Sequence, residues 1–457
     1  MQPSTPAAAQ LPVPQTAPQS ADESTPQAAT QAPEPAHHIS EAEARELFRS
    51  VDEILKFASE HSGLPIQHPV KKKLATRDEV ARYVAKRLKE QGGGERFDVT
   101  ARSMKKLGIL PPDFNLRQYM LDMYREQVEG WYDSKSKTVY LLDWVAPELQ
   151  RPVMAHELVH ALQDQNYNLE EWLNVRKDSA DDTGQMVIDE ERAARQSIIE
   201  GQAMIVLYDY QLADTGETVE KAPSLVESMR AGMTDDSDSV YGKAPIYLRE
   251  GLLFPYTFGT DFEVRVLLKR GKQAAFAGVM EHPPLDTHQV MEPSMYLSGE
   301  PQVQVPVVPI EQVLGKQWRR EDFGGLGEID LRVMLLQWSG EDAAKKLSPA
   351  WRGGYYMALV NRKNKTAPLA LALLMNFTNP DAASEFAKIY GTALGHRYHM
   401  VQPIKPGQWE TEDGPVQLTV EGSSVIAVES FPQGEAVRVR DALADAAHRP
   451  VEVSPAR

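Results

Sequence analysis

Two histidines four positions apart, with a glutamate directly after the first, are the residues best suited to chemistry in this chain. The run from His156 to His160 reads His-Glu-Leu-Val-His. It lies in a stretch from about Pro147 to Gln165 that carries the spacing of a helix, and residues i and i+4 of a helix share one face. Both imidazoles can therefore reach one metal ion, with the Glu157 carboxylate beside it.

The apolar residues around this motif predict that its helix is buried. At about 100° per residue, Leu158 and Leu162 fall on a broad apolar arc of the helix. Glu157 and the two histidines fall on the opposite side. We expect a buried helix with one ionisable edge, and the alternative is a pair of histidines on the exposed face of an amphipathic helix.

The residue types present in the chain limit which side chains could complete a metal site. A zinc ion held by two histidines takes a third protein ligand and leaves a fourth position for water, whose pKa falls towards neutrality. The chain has no cysteine, so the third ligand must be a carboxylate or another histidine. The next predicted helix, from about Met186 to Leu212, offers four carboxylates: Asp189, Glu190, Glu191 and Glu200.

The local sequence separates these four candidates. Residues 189–192 are a charged run, which we interpret as a solvated helix face. Glu200 instead lies in an apolar stretch, Ser197 to Leu207, where an unpaired carboxylate would be costly to bury and a metal would stabilise it. We predict Glu200 as the third ligand, with Glu190 or Glu191 as alternatives and a buried Glu–Arg pair as the explanation without a metal.

Local signals also predict the helices that support the site. Ser40 with Glu43, and Thr76 with Glu79, form capping boxes that each precede a helix. A further helix is expected from about Leu116 to Gln127.

A short sheet and a close helix contact are expected near the motif. Trp131–Asp133 and Thr138–Leu142 flank a polar turn and predict a β-hairpin or edge strand. Gly201 allows its helix to approach a neighbour closely, as bringing Glu200 to the two histidines requires. The polar, acidic stretch before this helix, which contains Asp178, Asp181 and Asp182, is expected to be a surface loop.

Residues 301–457 have a different pattern. Apolar runs lie at Tyr355–Val360 and Pro368–Met375, Asn379-Pro380 opens a short helix, and a final hairpin turns at Gly422-Ser423. We predict a separate α+β domain here.

The overall composition excludes some classes of function. The chain has 457 residues, 42% of them hydrophobic, which allows two or three domains with buried cores. Its net charge of -16 would repel the phosphates of nucleic acids and of anionic membranes, so we expect no nucleic-acid partner. No apolar run approaches the ~18 residues of a membrane-spanning helix, so we expect no transmembrane segment.

The first 39 residues differ from the rest of the chain. Residues 1–39 contain no Lys, Arg or aromatic residue and are rich in Pro, Ala and Gln, which predicts a disordered tether. They carry no basic start or apolar stretch typical of a secretory signal. Because such tethers often follow the cleavage point of exported bacterial proteins, we expect an extracytoplasmic protein, secreted or envelope-tethered. An ordinary disordered tail is the alternative.

The motif in its wider context resembles a known family. The string from Ala155 to Gln165, followed by Glu200-Gly201-x-Ala203, resembles the zincin metallopeptidases of the gluzincin type. In that type, His-Glu-x-x-His and a glutamate from a following helix bind zinc. The string looks like that of a group of exported bacterial proteins of this type. The resemblance extends to Phe254-Pro255-Tyr256 followed by Gly259, and covers roughly Glu126 to Pro301.

The resemblance implies a fold and an activity. The implied fold is α+β, with a mainly helical zincin-like catalytic core and a small edge sheet over residues 40–300, followed by the smaller domain over 301–457. The implied activity is hydrolysis of a peptide bond in a peptide or protein substrate by a water that zinc activates. Glu157 would accept a proton from that water and pass it to the leaving amine.

Further site residues are expected on the same basis. Tyr256, His288 and His282 are candidates for stabilising the oxyanion of the tetrahedral intermediate, although Tyr256 could be a core aromatic and His282 could line a turn. Thr138–Leu142 could pair with an extended peptide as an edge strand, or could be only the sheet edge beside the helix.

The chain also departs from the better-known gluzincins. About 40 residues separate His160 from Glu200, which implies an inserted loop. Met204 stands where those enzymes often carry an acidic residue, so the partner that supports His156 is unassigned. The Gly-Ala-Met-Glu-Asn signature of the large aminopeptidases is absent from the sequence, which favours an endopeptidase.

Two competing functions remain. The first is a non-catalytic envelope protein that binds peptides on a zincin scaffold with structural zinc. The second is a metal-dependent hydrolase that acts on a bond other than a peptide bond. Glu157 favours catalysis, because a structural two-histidine site needs no carboxylate between its ligands.

Overall fold

The structure, a computed structural model, describes residues 38–90, 93–126, 130–174, 181–233, 240–449 and 451–453. Residues 1–37 of the expected tether lie outside this description, so their disorder stays a prediction. Ile39, which was assigned to the tether, packs against the hydrophobic core, and its N–H donates to the carbonyl oxygen of Asp143 at 2.9 Å. The folded part therefore begins slightly before Ser40.

Helices make up most of the chain before residue 300. They are α1 (Glu41–Ser62), α2 (Arg77–Glu90), α3 (Gly93–Lys106), α4 (Leu116–Glu126), α5 (Pro147–Tyr167), α6 (Leu169–Leu173), α7 (Asp182–Leu212), α8 (Leu225–Met233), α9 (Ile246–Arg270), α10 (Val279–Glu281), α11 (Thr287–Met291) and α12 (Pro293–Ser298). Three strands, β1 (Lys71–Ala75), β2 (Trp131–Asp133) and β3 (Thr138–Leu142), lie among them. Ala274–Gly278 form a π-helical turn and Ala213–Thr215 a 3₁₀ turn.

Strands and helices alternate after residue 300. The elements are β4 (Gln302–Gln304), α13 (Ile310–Leu314), β5 (Trp318–Gly325), α14 (Glu328–Ser339), α15 (Glu341–Leu347), β6 (Trp351–Asn361), β7 (Ala370–Phe377), α16 (Pro380–Arg397), β8 (Val401–Lys405), β9 (Gln408–Thr411), β10 (Gly414–Glu421), β11 (Ser424–Glu429), α17 (Gln433–Ala447) and β12 (Val451–Val453). A 3₁₀ turn, Ser348–Ala350, precedes β6. The α+β class predicted from the sequence is thereby confirmed.

The helix starts follow their local signals. Ser40 and Glu43 form the predicted capping box at α1, with the Ser40 N–H donating to Glu43 at 2.7 Å. The box of Thr76 and Glu79 precedes α2 in the same way. Each box satisfies backbone N–H groups that the first turn of a helix leaves without partners.

The small sheet corrects one expectation. Its strand order is β1-β3-β2, with β3 parallel to β1 and antiparallel to β2. Thr138–Leu142 is therefore the central strand, and its expected role as an edge strand that pairs with a peptide is wrong. β1 was not expected, because Lys71-Lys72-Lys73 is a charged run whose alternation of exposed and half-buried positions emerges only once it pairs with β3.

The stretch between α5 and α7 is not entirely loop. It contains α6, whose Leu169 and Trp172 are buried. Asp178 lies outside the described residues, and Asp181 caps α7 by accepting the N–H of Gly184 at 2.7 Å.

The second half is built on a seven-stranded antiparallel sheet of order β5-β6-β7-β11-β10-β9-β8. The predicted hairpin is confirmed, with Glu421 opposite Ser424 and a positive φ of 58° at Gly422. Asn379 caps α16 as predicted, but this helix has 18 residues and is not short. Gly391 and Gly395, which weaken the helical pattern, obscured its length.

The buried hydrophobic side chains of the described residues form two clusters. One cluster of buried side chains extends from Leu47 in α1 to Ala427 in β11, and a smaller one joins Met186 of α7 to the other face of the sheet. Lys106 of α3 also donates to Asp413, in the turn between β9 and β10, at 2.7 Å. The predicted domain division at residue 300 stays a prediction.

Candidate metal centre

Helix α5 carries the His-Glu-x-x-His motif through the interior of the protein. It packs against α1 on one side, α7 on another, and β2 and β3 on a third. As a result, every residue from Val153 to Asp164 is buried. His156 and His160 are each 1% exposed, so the predicted burial is confirmed and the alternative of surface histidines is wrong. The apolar arc and the ionisable edge are both covered by other elements.

Three ligand atoms converge beside α5. The Nε2 atoms of His156 and His160 lie 3.1 Å apart. Oε2 of Glu200 lies 3.1 Å from the first and 3.4 Å from the second. Ligand atoms of a tetrahedral zinc, each ~2.0–2.1 Å from the ion, are about 3.3 Å from one another. The donor set therefore fits one zinc ion in both atom types and spacing.

The charges of these groups also suit a cation. Burial alone would raise the pKa of Glu200, but the neighbouring imidazoles, His160 foremost, hold that pKa down at about 2. Burial alone would lower the pKa of His160, yet Glu200 raises it to about 9. The Glu200 carboxylate therefore favours a positive charge between itself and the two imidazoles. Either a proton or a metal ion can supply that charge.

Glu157 lies in the same cluster but has a different partner. One of its oxygens falls within 4.8 Å of ligand atoms of both histidines. Its Oε2 accepts the backbone N–H of Tyr132 in β2 at 2.7 Å. Burial raises the pKa of Glu157. Because Glu200 contributes one oxygen to both imidazoles while Glu157 is held by β2, the geometry favours Glu200 as the ligand.

Glutamine side chains surround the ligands. Oε1 of Gln163 lies 2.9 Å from Nδ1 of His160. Gln196 donates from Nε2 to Oε1 of Glu200 at 2.8 Å, which leaves Oε2 directed at the imidazoles. Nδ1 of His156 has no hydrogen-bond partner among the described residues. The supporting group for His156 that the sequence left unassigned is thus not provided by this part of the chain.

Gly201 makes the close helix contact expected from the sequence, but with α9. A Cβ atom at Gly201 would lie 2.3 Å from the carbonyl oxygen of Gly259, and one at Gly259 would lie 2.1 Å from that of Ser197. Only glycine allows two helices to cross at this distance. The contact fixes how closely α7, which carries Glu200, packs against α9.

The charged run of α7 is not a solvated face. Glu190 and Glu191 are buried, at 7% and 6% exposure. Glu190 accepts the N–H and the hydroxyl of Thr287, at 3.1 and 2.8 Å, and Glu191 pairs with Arg195 at 2.8 Å. The earlier interpretation is wrong because α11 and α6 cover this part of α7. Both carboxylates therefore have polar partners other than the two histidines.

The three candidates for oxyanion stabilisation are widely separated. The ring of Tyr256, on α9, has its centroid 6.2 Å from that of His156. His288 instead pairs through Nδ1 with Glu328 and through Nε2 with Arg352. The residue before His288, Thr287, binds Glu190 of α7. Glu190 is ten residues before Glu200, so this contact lies ~15 Å from Glu200 along the axis of α7.

His282 is exposed, and its carbonyl oxygen accepts the hydroxyl of Tyr296 at 2.7 Å. It therefore occupies a turn, which was the alternative for this residue. Tyr256 is 4% exposed and belongs to the main hydrophobic cluster, which was its alternative as a core aromatic. Of the three candidates, it is also the one whose ring lies next to a proposed ligand.

Tyr132 in β2 and Lys137 in the turn after it both bind Asp164 of α5, and the sequence singled out none of these three residues for a role at the site. The hydroxyl of Tyr132 donates to Oδ2 of Asp164 at 2.7 Å, and Lys137 donates to the same oxygen at 2.7 Å. Asp164 is part of the string that resembles the gluzincins, which was the available signal. Tyr132 carried no signal, because its backbone rather than its side chain contacts Glu157.

The centre is enclosed in this conformation. Glu157 is 6% exposed and Glu200 is 1% exposed, like the two histidines. A polypeptide could reach the ligand atoms only if neighbouring elements moved. Glu157 is the most exposed of the four groups.

Comparisons with known proteins cover only the second half of the chain. A family described as a domain of unknown function (DUF8575) matches residues 314–440, which contain all seven strands of the larger sheet. No curated protein and no solved structure matches the chain. Within the described ranges, no helix has the length and apolar character needed to cross a bilayer. The metal centre lies outside the matched segment.

Proposed function

We propose that this protein is a zinc-dependent endopeptidase of the gluzincin type. The observation that supports the proposal most strongly is the convergence of His156, His160 and Glu200 within 3.4 Å, beside a carboxylate that is not needed as a ligand. The resemblance of the surrounding sequence to metallopeptidases favours a peptide or protein substrate. Zinc bound there would polarise the scissile carbonyl group and lower the pKa of a water molecule.

Glu157 is the general base in this proposal. The N–H of Tyr132 occupies Oε2. Oε1 is then the oxygen that accepts a proton and returns it to the leaving amine.

Tyr256 is the group that we assign to oxyanion stabilisation. Its ring lies beside His156, and a phenol hydroxyl can donate to a developing negative charge. His288 is not assigned this role, because Glu328 and Arg352 engage both of its ring nitrogens.

The proposed location is extracytoplasmic, either secreted or tethered to the envelope. This part of the proposal rests on the composition of residues 1–39. The endopeptidase assignment rests on the missing aminopeptidase signature.

One observation favours a second function. The low exposure of all four groups is what a structural zinc site would show, and a peptide-binding envelope protein on the same scaffold would need no access to the metal. The two functions differ in whether the metal contacts a substrate.

Metal analysis combined with digestion of a peptide library tests the proposal. We expect one zinc per chain, and cleavage that chelation abolishes and added zinc restores. Bound zinc without cleavage of any library peptide would favour the structural function. Absence of zinc after purification without chelator, and after reconstitution, would overturn both.

A further inference from the structure

Two buried glutamines connect the metal centre to the backbone of a neighbouring turn. Gln163 lies three residues after His160 on α5, and Gln202 lies two residues after Glu200 on α7. Both side chains are fully buried, at 0% exposure. Because water does not reach them, their polar atoms must find partners within the protein.

The orientation of Gln202 follows from its neighbours. Its Nε2 lies 2.9 Å from the carbonyl oxygen of Ala275 and 3.0 Å from that of Phe276, both in the π-helical turn. A carbonyl oxygen can only accept a hydrogen bond, so the NH₂ group of Gln202 must face these two atoms. Oε1 of Gln202 then faces Gln163, whose Nε2 donates to it at 2.9 Å.

The same reasoning extends to His160. Nε2 of Gln163 has two acceptors, Oε1 of Gln202 and the carbonyl oxygen of Ile199 at 3.1 Å. Oε1 of Gln163 therefore faces Nδ1 of His160, at 2.9 Å. An amide oxygen has no hydrogen to donate, so the hydrogen of this bond belongs to Nδ1. In the neutral imidazole, the form that binds a metal, the lone pair is then at Nε2, which points at the other two ligand atoms.

We infer that Gln163, oriented by Gln202, is a positioning residue that holds His160 in the tautomer able to bind a metal through Nε2. The inference rests on the metal centre of the proposed function. Histidine ligands usually donate their second N–H to a carboxylate, a backbone carbonyl or water. Here a neutral amide takes that place, and backbone carbonyls on α7 and on the π-helical turn determine its orientation.

Three variants of the full chain separate positioning from general stabilisation. Gln163→Leu keeps a similar volume but removes the acceptor at Nδ1. Gln163→Glu keeps an acceptor but removes the NH₂ group that faces Ile199 and Gln202. Gln150→Leu is the matched control: Gln150 is also buried on α5 and makes three hydrogen bonds to the backbone, with Leu142 and Val145, none of them at the metal centre.

The measurements are the zinc dissociation constant, by competition with a chelator, and the unfolding midpoint of each metal-free variant in urea. We expect Gln163→Leu to bind zinc about 10–100-fold more weakly than the unmodified protein. Gln163→Glu should retain most of the affinity despite a lower midpoint. The Gln150→Leu control should also unfold at lower urea while its zinc affinity stays unchanged.

Unchanged zinc affinity in Gln163→Leu would overturn the inference, as would equal losses in Gln163→Leu and Gln163→Glu. In both cases zinc binding by the unmodified protein would still support the metal centre. If the unmodified protein binds no zinc, the metal centre and the inference both fail. Should Gln163→Leu not fold, Gln202→Leu replaces it, with an expected severalfold loss of zinc affinity; no loss would overturn the inference.

Discussion

Tyr132 binds helix α5 at two points. Its backbone N–H donates to Oε2 of Glu157 at 2.7 Å, and its hydroxyl donates to Oδ2 of Asp164 at 2.7 Å. Glu157 and Asp164 are seven residues, or about two helical turns, apart. Strand β2 therefore lies along α5 in a defined register, and one oxygen of Glu157 is kept in place by a backbone N–H that every substitution of Tyr132 except proline retains.

This relationship makes Glu157→Gln a sharp test of the general base. The amide oxygen of glutamine can still accept the Tyr132 N–H, and all three proposed zinc ligands remain. Because a general base typically contributes about 10²–10⁴-fold, cleavage should fall by at least that factor while zinc stays bound. Zinc content and cleavage of an identified peptide are measured in parallel.

The companion variant for that test is His156→Ala, which should lose both zinc and cleavage. Undiminished cleavage by Glu157→Gln would show that another group accepts the proton.

Replacing the candidate carboxylates one at a time identifies the third ligand. Glu200→Gln should weaken zinc binding by more than the ~10–100-fold typical of a residue that only supports a ligand. Glu190→Gln should leave zinc content unchanged, because Glu190 binds Thr287 and not the histidines. Zinc per chain after dialysis is the measurement, and equal losses in both variants would contradict the assignment of Glu200.

The crossing of α7 and α9 predicts a steric effect on stability. In Gly259→Ala, the new methyl group would lie 2.1 Å from the carbonyl oxygen of Ser197, so the helices must separate. We expect a loss of about 1–3 kcal/mol in the free energy of unfolding, the usual range for overpacking. Urea unfolding measures it.

Gly251 on the same helix provides the control for this prediction. A Cβ atom there meets nothing within 4 Å, so Gly251→Ala should gain about 0.5–1 kcal/mol from the better helix propensity of alanine. A Gly259→Ala variant as stable as Gly251→Ala would show that the close crossing is not required.

Glu263 on α9 predicts a pH dependence of stability. It is fully buried, and neither oxygen has a hydrogen-bond partner in the described part of the chain. Burial raises its pKa well above the ordinary value, an effect that the Gln202 amide offsets only in part. The folded protein therefore keeps a proton that the unfolded chain releases above about pH 4.3.

The contribution of this proton to stability is complete below the ordinary carboxyl pKa and is lost as the pH rises towards the raised value. Glu263→Gln is neutral at every pH, so its advantage over the unmodified protein should grow above about pH 5, by up to ~1.4 kcal/mol per pH unit. Urea unfolding from pH 4 to pH 8 measures this difference. A difference that stays constant with pH would show that Glu263 is charged in the folded protein.

Local patterns in the sequence determined the elements that depend on near neighbours. The spacing of His156 and His160 on one helix face, the caps at Ser40 and Thr76, and the hairpin turn at Gly422 all follow from backbone geometry over a few residues. Glu200 could be predicted as a ligand although it lies 40 residues after His160. The signal was local, because a carboxylate inside an apolar run is costly to bury without a partner.

Only the tertiary structure decided which distant groups meet. In the folded chain, β1 pairs with β3, and Glu190 accepts a hydrogen bond from Thr287. The two ring nitrogens of His288 contact Glu328 and Arg352. Hydrogen bonds also connect the π-helical turn, through Gln202 and Gln163, to His160. These contacts join residues tens of positions apart, and each depends on how helices and sheets pack, which no spacing along one segment encodes.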